Sequence, residues 1–82
     1  MGAEIAIDYP PNLEVVIDSE VYLTSGAAIV ERLPGSSRSR TWVQVTPLTS
    51  NGHRLSRTRL VAEEGVPALR QRAERQRHLH GK

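Results

Sequence analysis

The dipeptide Asn51-Gly52 separates two runs in which apolar and polar residues alternate. A type I′ turn requires positive φ at both of its central residues, and asparagine and glycine tolerate that conformation. The sequence therefore predicts a β-hairpin that reverses at these two positions and that spans roughly residues 40–62.

The predicted hairpin register sorts the side chains onto two faces. A two-residue turn pairs Val43 with Leu60 and Trp42 with Val61. Because side chains alternate along a strand, one face should belong to the core and carry Val43, Val45, Thr58, Leu60 and Ala62. The other face should carry the chain's one tryptophan among polar and cationic residues: Trp42, Gln44, Thr46, Arg57 and Arg59.

The first half of the chain also reads as β-structure. Residues 3–9 alternate and end at Pro10-Pro11, which predicts a short strand. Residues 13–24 form either one long strand bent near Asp18-Ser19 or two strands joined by a tight turn. Apolar residues stay at odd-numbered positions on both sides of Ser19, which favours the bent strand. Ser25-Gly26 predicts a turn, and residues 27–33 predict a further strand.

The end of the chain predicts a helix that begins at Pro67, since proline suits the first helical position and good helix formers follow it. We expect a small β domain over residues 1–66 and a basic C-terminal helix or tail over 67–82. The predicted fold is mainly β, with a small curved antiparallel sheet or SH3-like barrel of four to five strands and one C-terminal α-helix. The predicted core comprises Ile5, Ile7, Val15, Ile17, Val21, Leu23, Ile29, Val43, Val45 and Leu60.

The composition excludes several classes of site. The chain has no cysteine, so it has no disulfide or thiolate metal site, and we expect a reducing, cytoplasmic location without membrane association. The spacing of His53, His78 and His80 does not favour a metal site. No nucleophile elbow or phosphate-binding loop is present, so we expect no enzymatic activity and no cofactor.

Charge is distributed unevenly along the chain. Residues 1–31 hold six acidic and no basic side chains, whereas residues 32–82 hold all 11 basic side chains and three acidic ones. The two parts therefore carry −6 and +8, which sum to +2. This asymmetry indicates an acidic partner such as nucleic acid. The alternative is that acidic and basic strands pair with each other within the fold.

The residues predicted to bind a partner are arginines together with Trp42: Arg38, Arg40, Trp42, Arg54, Arg57, Arg59, Arg70, Arg72, Arg75 and Arg77. Arginine binds phosphate and an indole ring stacks on bases, so the first hypothesis is a small non-enzymatic nucleic-acid-binding module that recognises DNA or RNA. Alternatively, Trp42 packs in a second apolar cluster and the arginines are solvated. The second hypothesis is a protein-interaction module, a small regulator or assembly component, that binds an acidic protein surface or self-associates as a homo-oligomer through strand edges.

Overall fold

The structure is a computed structural model that describes residues 4–48 and 57–80. Five strands are followed by a short 3-10 turn and one helix: β1 Glu4–Asp8, β2 Glu14–Ile17, β3 Glu20–Arg32, β4 Ser39–Pro47, β5 Arg59–Ala62, the 3-10 turn Glu63–Gly65 and α1 Pro67–His80. The strands form one antiparallel sheet in the order β1-β3-β4-β5, and β2 also pairs with β3. The mainly β class with a C-terminal helix is confirmed. The described sheet is not closed, so an SH3-like barrel is not confirmed.

Asp18 and Ser19 form a tight turn between β2 and β3. Both residues have positive φ, 51° and 67°, and Ile17 pairs with Glu20 on either side of them. Two consecutive positive φ values are typical of a type I′ hairpin turn, which aspartate tolerates better than most residues. The favoured prediction of one bent strand over residues 13–24 is therefore wrong, and the alternative with two strands is correct.

This turn explains why Val21 and Leu23 lie outside the core that the sequence predicts. In a two-residue hairpin Val15 lies opposite Tyr22, so odd-numbered residues of β2 share a face with even-numbered residues of β3. Tyr22 and Thr24 are accordingly buried, whereas Val21 and Leu23 are only half-buried. The core assignments of Val15, Val43 and Val45 are confirmed. The core assignment of Ile5 is also wrong, since that residue is 62% exposed.

The predicted turn at Ser25-Gly26 is wrong, because β3 continues through these residues. Gly26 has a φ of +103°, and the pairing with β4 shifts register between Thr24 and Ala28, as in a β-bulge. A Cβ at Gly26 would lie 3.5 Å from the Pro11 Cβ. Glycine thus lets the strand bend without ending, and the strand predicted over residues 27–33 is the second half of β3.

The pairing of β4 with β5 is displaced by one residue from the prediction. Val43 pairs with Val61 and not with Leu60, while Trp42 pairs with Ala62. The predicted turn at Asn51-Gly52 lies outside the described residues. Because adjacent residues point to opposite faces, the displacement places Val61 in the core.

Helix α1 covers one face of the sheet. Leu69 and Ala73 are fully buried and belong to the same apolar cluster as Val43, Val45 and Val61. Their i, i+4 spacing places them on one side of the helix. Among residues 4–48 and 57–80, no helix is long and apolar enough to cross a membrane.

A buried tyrosine ties the end of β1 to the start of the helical segment. The Tyr9 hydroxyl donates a hydrogen bond of 2.5 Å to Glu63 Oε2. Burial, followed by this carboxylate, raises the pKa of Tyr9 well above its ordinary value. The Arg77 guanidinium lies 5.3 Å from the centroid of the same ring. Tyr9 therefore contacts the 3-10 turn through its hydroxyl and α1 through its ring, and both contacts hold the helical segment against the sheet.

Candidate interaction surface

The face of the sheet opposite α1 carries a shallow hollow of about 370 Å³. We call its lining the Trp42 surface, which comprises Glu4, Ile29, Glu31, Trp42 and Leu60. The strand register builds this surface, since Ile29 pairs with Trp42, Glu4 pairs with Glu31, and Leu60 lies on β5 beside Trp42. Three apolar side chains thus lie beside a neighbouring pair of carboxylates.

Two neighbouring charged groups hold the Trp42 side chain in place. Its indole Nε1 donates a hydrogen bond of 3.0 Å to Glu31 Oε1, which satisfies its one polar group. The Arg40 guanidinium lies 5.8 Å from the indole centroid, a distance compatible with a cation–π contact. Arg40 Nε in turn lies 2.6 Å from Glu64 Oε1. The indole is therefore oriented before any partner binds.

The predicted arginine-rich face is not formed. Arg40 and Trp42 share a face, but Arg59 pairs with Val45 and points to the side of the sheet that α1 covers. There Arg59 Nη1 donates to the Tyr22 hydroxyl at 3.2 Å, and its guanidinium lies 5.5 Å from the Tyr22 ring. The cause is the displacement of the β4–β5 register by one residue.

The remaining predicted arginines of the sheet region are scattered. Arg38 is exposed in the connection before β4, and Arg57 is exposed just before β5. Arg54 lies outside the described residues. None of these observations tests whether they bind a ligand, and their proposed role stays a prediction.

The arginines of α1 fall into two groups. Arg70 is paired with Glu74 at 3.1 Å, and Arg77 lies against Tyr9. The second group lines a hollow of about 250 Å³ on an exposed flank of the helix. We call this lining the outer helix surface, which comprises Ala68, Gln71, Arg72 and Arg75.

Sequence reasoning assigned Ile29 and Leu60 to the core and did not single out Glu4 or Glu31. One sequence signal could have revealed that apolar residues lie on both faces of the sheet. Val16 and Tyr22 are apolar at even positions in the otherwise alternating run 13–24, which indicates that the sheet has apolar residues on both faces. A turn between these two positions places Tyr22 on the core face with Val15 and leaves Val16 on the opposite face.

No arrangement for metal binding appears among residues 4–48 and 57–80, where no three acidic or histidine side chains cluster. His78 is exposed on α1, and the side chains of His53 and His80 lie outside the described part of the chain. The expected absence of a metal site stays a prediction.

Comparison with known proteins does not assign a class. No protein-family model matches the chain, and neither a curated protein nor a solved structure matches it. The function of this protein is therefore inferred from the residues of the two surfaces described above.

Proposed function

We propose that this protein is a non-enzymatic protein-interaction module that binds its partner through the Trp42 surface. The observation that carries this proposal is an apolar patch of Ile29, Trp42 and Leu60 on the sheet face opposite α1. Leu60 is 45% exposed although it is aliphatic. Partially exposed apolar side chains with charged groups around them are typical of protein interfaces, and tryptophan is enriched among the residues that dominate binding energy.

The charges of the Trp42 surface define the chemistry of the partner. Glu4 and Glu31 are neighbours on β1 and β3 in the lining of the hollow, and both carboxylates would repel a phosphate. A cationic side chain, by contrast, could stack on Trp42 and pair with these carboxylates while its aliphatic stem contacts Leu60. We therefore infer that the partner presents lysine or arginine together with apolar groups.

A second candidate function is nucleic-acid binding through the outer helix surface. The observation that favours it is that Arg72 and Arg75 line one hollow whose lining contains no acidic residue. Two guanidinium groups of this kind could contact neighbouring phosphates. Such binding would weaken steeply with added salt and would not require Trp42.

Selection from a displayed library of random peptides tests the first proposal. We expect the selected peptides to be enriched in lysine or arginine beside apolar residues. Trp42→Ala should weaken their binding at least about 30-fold, as expected for a residue that dominates an interface. Val16→Ala is the matched control, because Val16 is an exposed apolar residue that does not line the hollow.

A parallel titration with a labelled single-stranded DNA and a labelled RNA duplex separates the two candidate functions. Only the second candidate predicts that the protein binds these nucleic acids. Peptides that bind Trp42→Ala as well as they bind the original protein would overturn the protein-interaction proposal. DNA or RNA binding that is lost on Arg72→Ala with Arg75→Ala, but kept in Trp42→Ala, would support the second candidate.

A further inference from the structure

We propose that the partner of the Trp42 surface is a second copy of this chain, which contributes its outer helix surface. This inference rests on the proposed function and names the occupant of the same site. In the complex, Arg72 and Arg75 of one copy would lie against Glu4 and Glu31 of the next. Ala68 would face the apolar patch.

The geometry of α1 supports this role. Ala68, Arg72 and Arg75 are spaced i, i+4 and i+7, so they share one side of the helix. Leu69 and Ala73 point into the core and are fully buried. The outer helix surface therefore lies on an exposed flank of α1, beside the buried stripe, and the small side chain of Ala68 would let the helix approach another sheet closely.

The distribution of charge supports a contact between copies. Two ion pairs occur among the described residues, Arg40–Glu64 and Arg70–Glu74, and both lie within the basic part of the chain. No ion pair joins the acidic residues 4–31 to the basic residues 32–48 and 57–80 in the described structure. The alternative that acidic and basic strands pair within one fold is met where Glu31 lies opposite Arg40 in the register of β3 and β4. Because no ion pair forms there among the described residues, the carboxylates of residues 4–31 remain available to a second copy.

The layered architecture leaves room for this contact. Helices on one face only are common for an antiparallel sheet, and among the described residues α1 leaves the Trp42 surface without a covering element. The helix of a second copy would cover that surface. Because the two contacting surfaces differ, the interface is heterologous, and copies would join head to tail.

Charge reversal in complementary pairs tests this inference. One variant carries Glu4→Arg and Glu31→Arg, and the other carries Arg72→Glu and Arg75→Glu. Each variant alone should be monomeric because like charges would meet at its interface. An equimolar mixture should associate, since each variant then supplies the opposite charge to the other.

The measurement is the weight-average mass by light scattering and sedimentation, from about 1 µM to about 1 mM protein at low salt. Glu14→Arg with Glu20→Arg is the control, because both residues are exposed and the variant has the same net charge as Glu4→Arg with Glu31→Arg. This control should associate like the original protein. Circular dichroism of every variant verifies that it is folded.

The outcomes separate this inference from the proposed function. An original protein that stays monomeric throughout, or a mixture that fails to associate although both variants are folded, would overturn self-association. If peptide binding in that case still required Trp42, the proposed interaction function would stand with a different partner. Loss of both self-association and Trp42-dependent peptide binding would overturn both.

Discussion

The two faces of the sheet differ in what covers them more than in their residue types. Under α1, Val43, Val45 and Val61 are almost completely buried. On the opposite face Ile29, Trp42 and Leu60 are equally apolar, but they line an open hollow. Aliphatic character alone therefore does not decide burial in this protein. The strand register decides which side chains face α1.

Charged groups contact aromatic side chains on both faces of the sheet. On the helix-covered side, Arg59 contacts Tyr22, and Glu63 accepts a hydrogen bond from Tyr9. On the Trp42 surface, the carboxylate of Glu31 accepts the indole N–H, and Arg40 lies over the indole ring. The difference is that no helix in the described part of the chain covers the Trp42 surface, so a partner can contact its charged groups.

The largest expected difference between the faces is in stability. Leu69→Ala should lower the free energy of unfolding by about 2–5 kcal/mol, because it leaves a cavity under the fully buried helix contact. Leu60→Ala, the same substitution on the Trp42 surface, should cost less than about 1 kcal/mol. Urea unfolding of both variants measures this, and equal losses would contradict the assignment of the two faces.

A smaller loss is expected from a buried hydroxyl on the covered side. Thr24 Oγ1 accepts a hydrogen bond from the Leu13 amide at 2.9 Å and donates one to the Pro10 carbonyl at 2.7 Å. Thr24→Val keeps the shape of the side chain but removes both hydrogen bonds, so we expect the free energy of unfolding to fall by about 1–3 kcal/mol. Thr41→Val, at a half-buried position of β4, is the control. A Thr24 variant as stable as this control would show that the hydroxyl does not stabilise the contact of β3 with Pro10 and Leu13.

The contact between Tyr9 and Glu63 should give the covered face a specific pH dependence. Because the folded-state pKa of Tyr9 is raised above its ordinary value of 10.0, its contribution to stability is fully present below pH 10 and is lost as the pH rises further. Tyr9→Phe should cost about 1 kcal/mol at neutral pH and should flatten the fall in unfolding free energy above pH 10. A variant with an unchanged alkaline slope would be inconsistent with this contact.

The smallest effect is expected at the turn that sets the register of β2 and β3. Ser19 has a φ of 67°, which is unfavourable for a side chain with a Cβ. Ser19→Gly should raise the free energy of unfolding by up to about 1 kcal/mol without moving any strand. Ser19→Val should instead destabilise the protein, and a Val variant as stable as the Gly variant would argue against the turn.

Much of the fold can be predicted from the sequence, because alternation, Pro67 and good helix formers are local signals. The strands and the C-terminal helix follow from them. The side-chain faces do not, since a displacement of one residue reverses every face of a strand. Asp18-Ser19 preserves the parity of the sequence and yet moves Val21 and Leu23 away from the core. The pairing of β5 likewise depends on which of Leu60 and Val61 packs under α1.

The candidate site could be predicted from the sequence only in part. Trp42 and Arg40 were predicted together because they lie two residues apart on one strand. Glu4, Glu31 and Leu60 join them through pairings between strands, and the alternation within each strand does not encode the register of those pairings. The role of the arginines in binding stays a prediction.

Thiol labelling at two adjacent positions tests the central claim, that Leu60 belongs to the Trp42 surface and Val61 to the core. The chain has no cysteine, so Leu60→Cys and Val61→Cys each introduce a single reactive group. Under native conditions the thiol at position 60 should react rapidly with a maleimide, and the thiol at position 61 should react only as fast as the protein opens. Faster reaction at position 61 than at position 60 in folded protein would contradict the register and the interaction surface built on it.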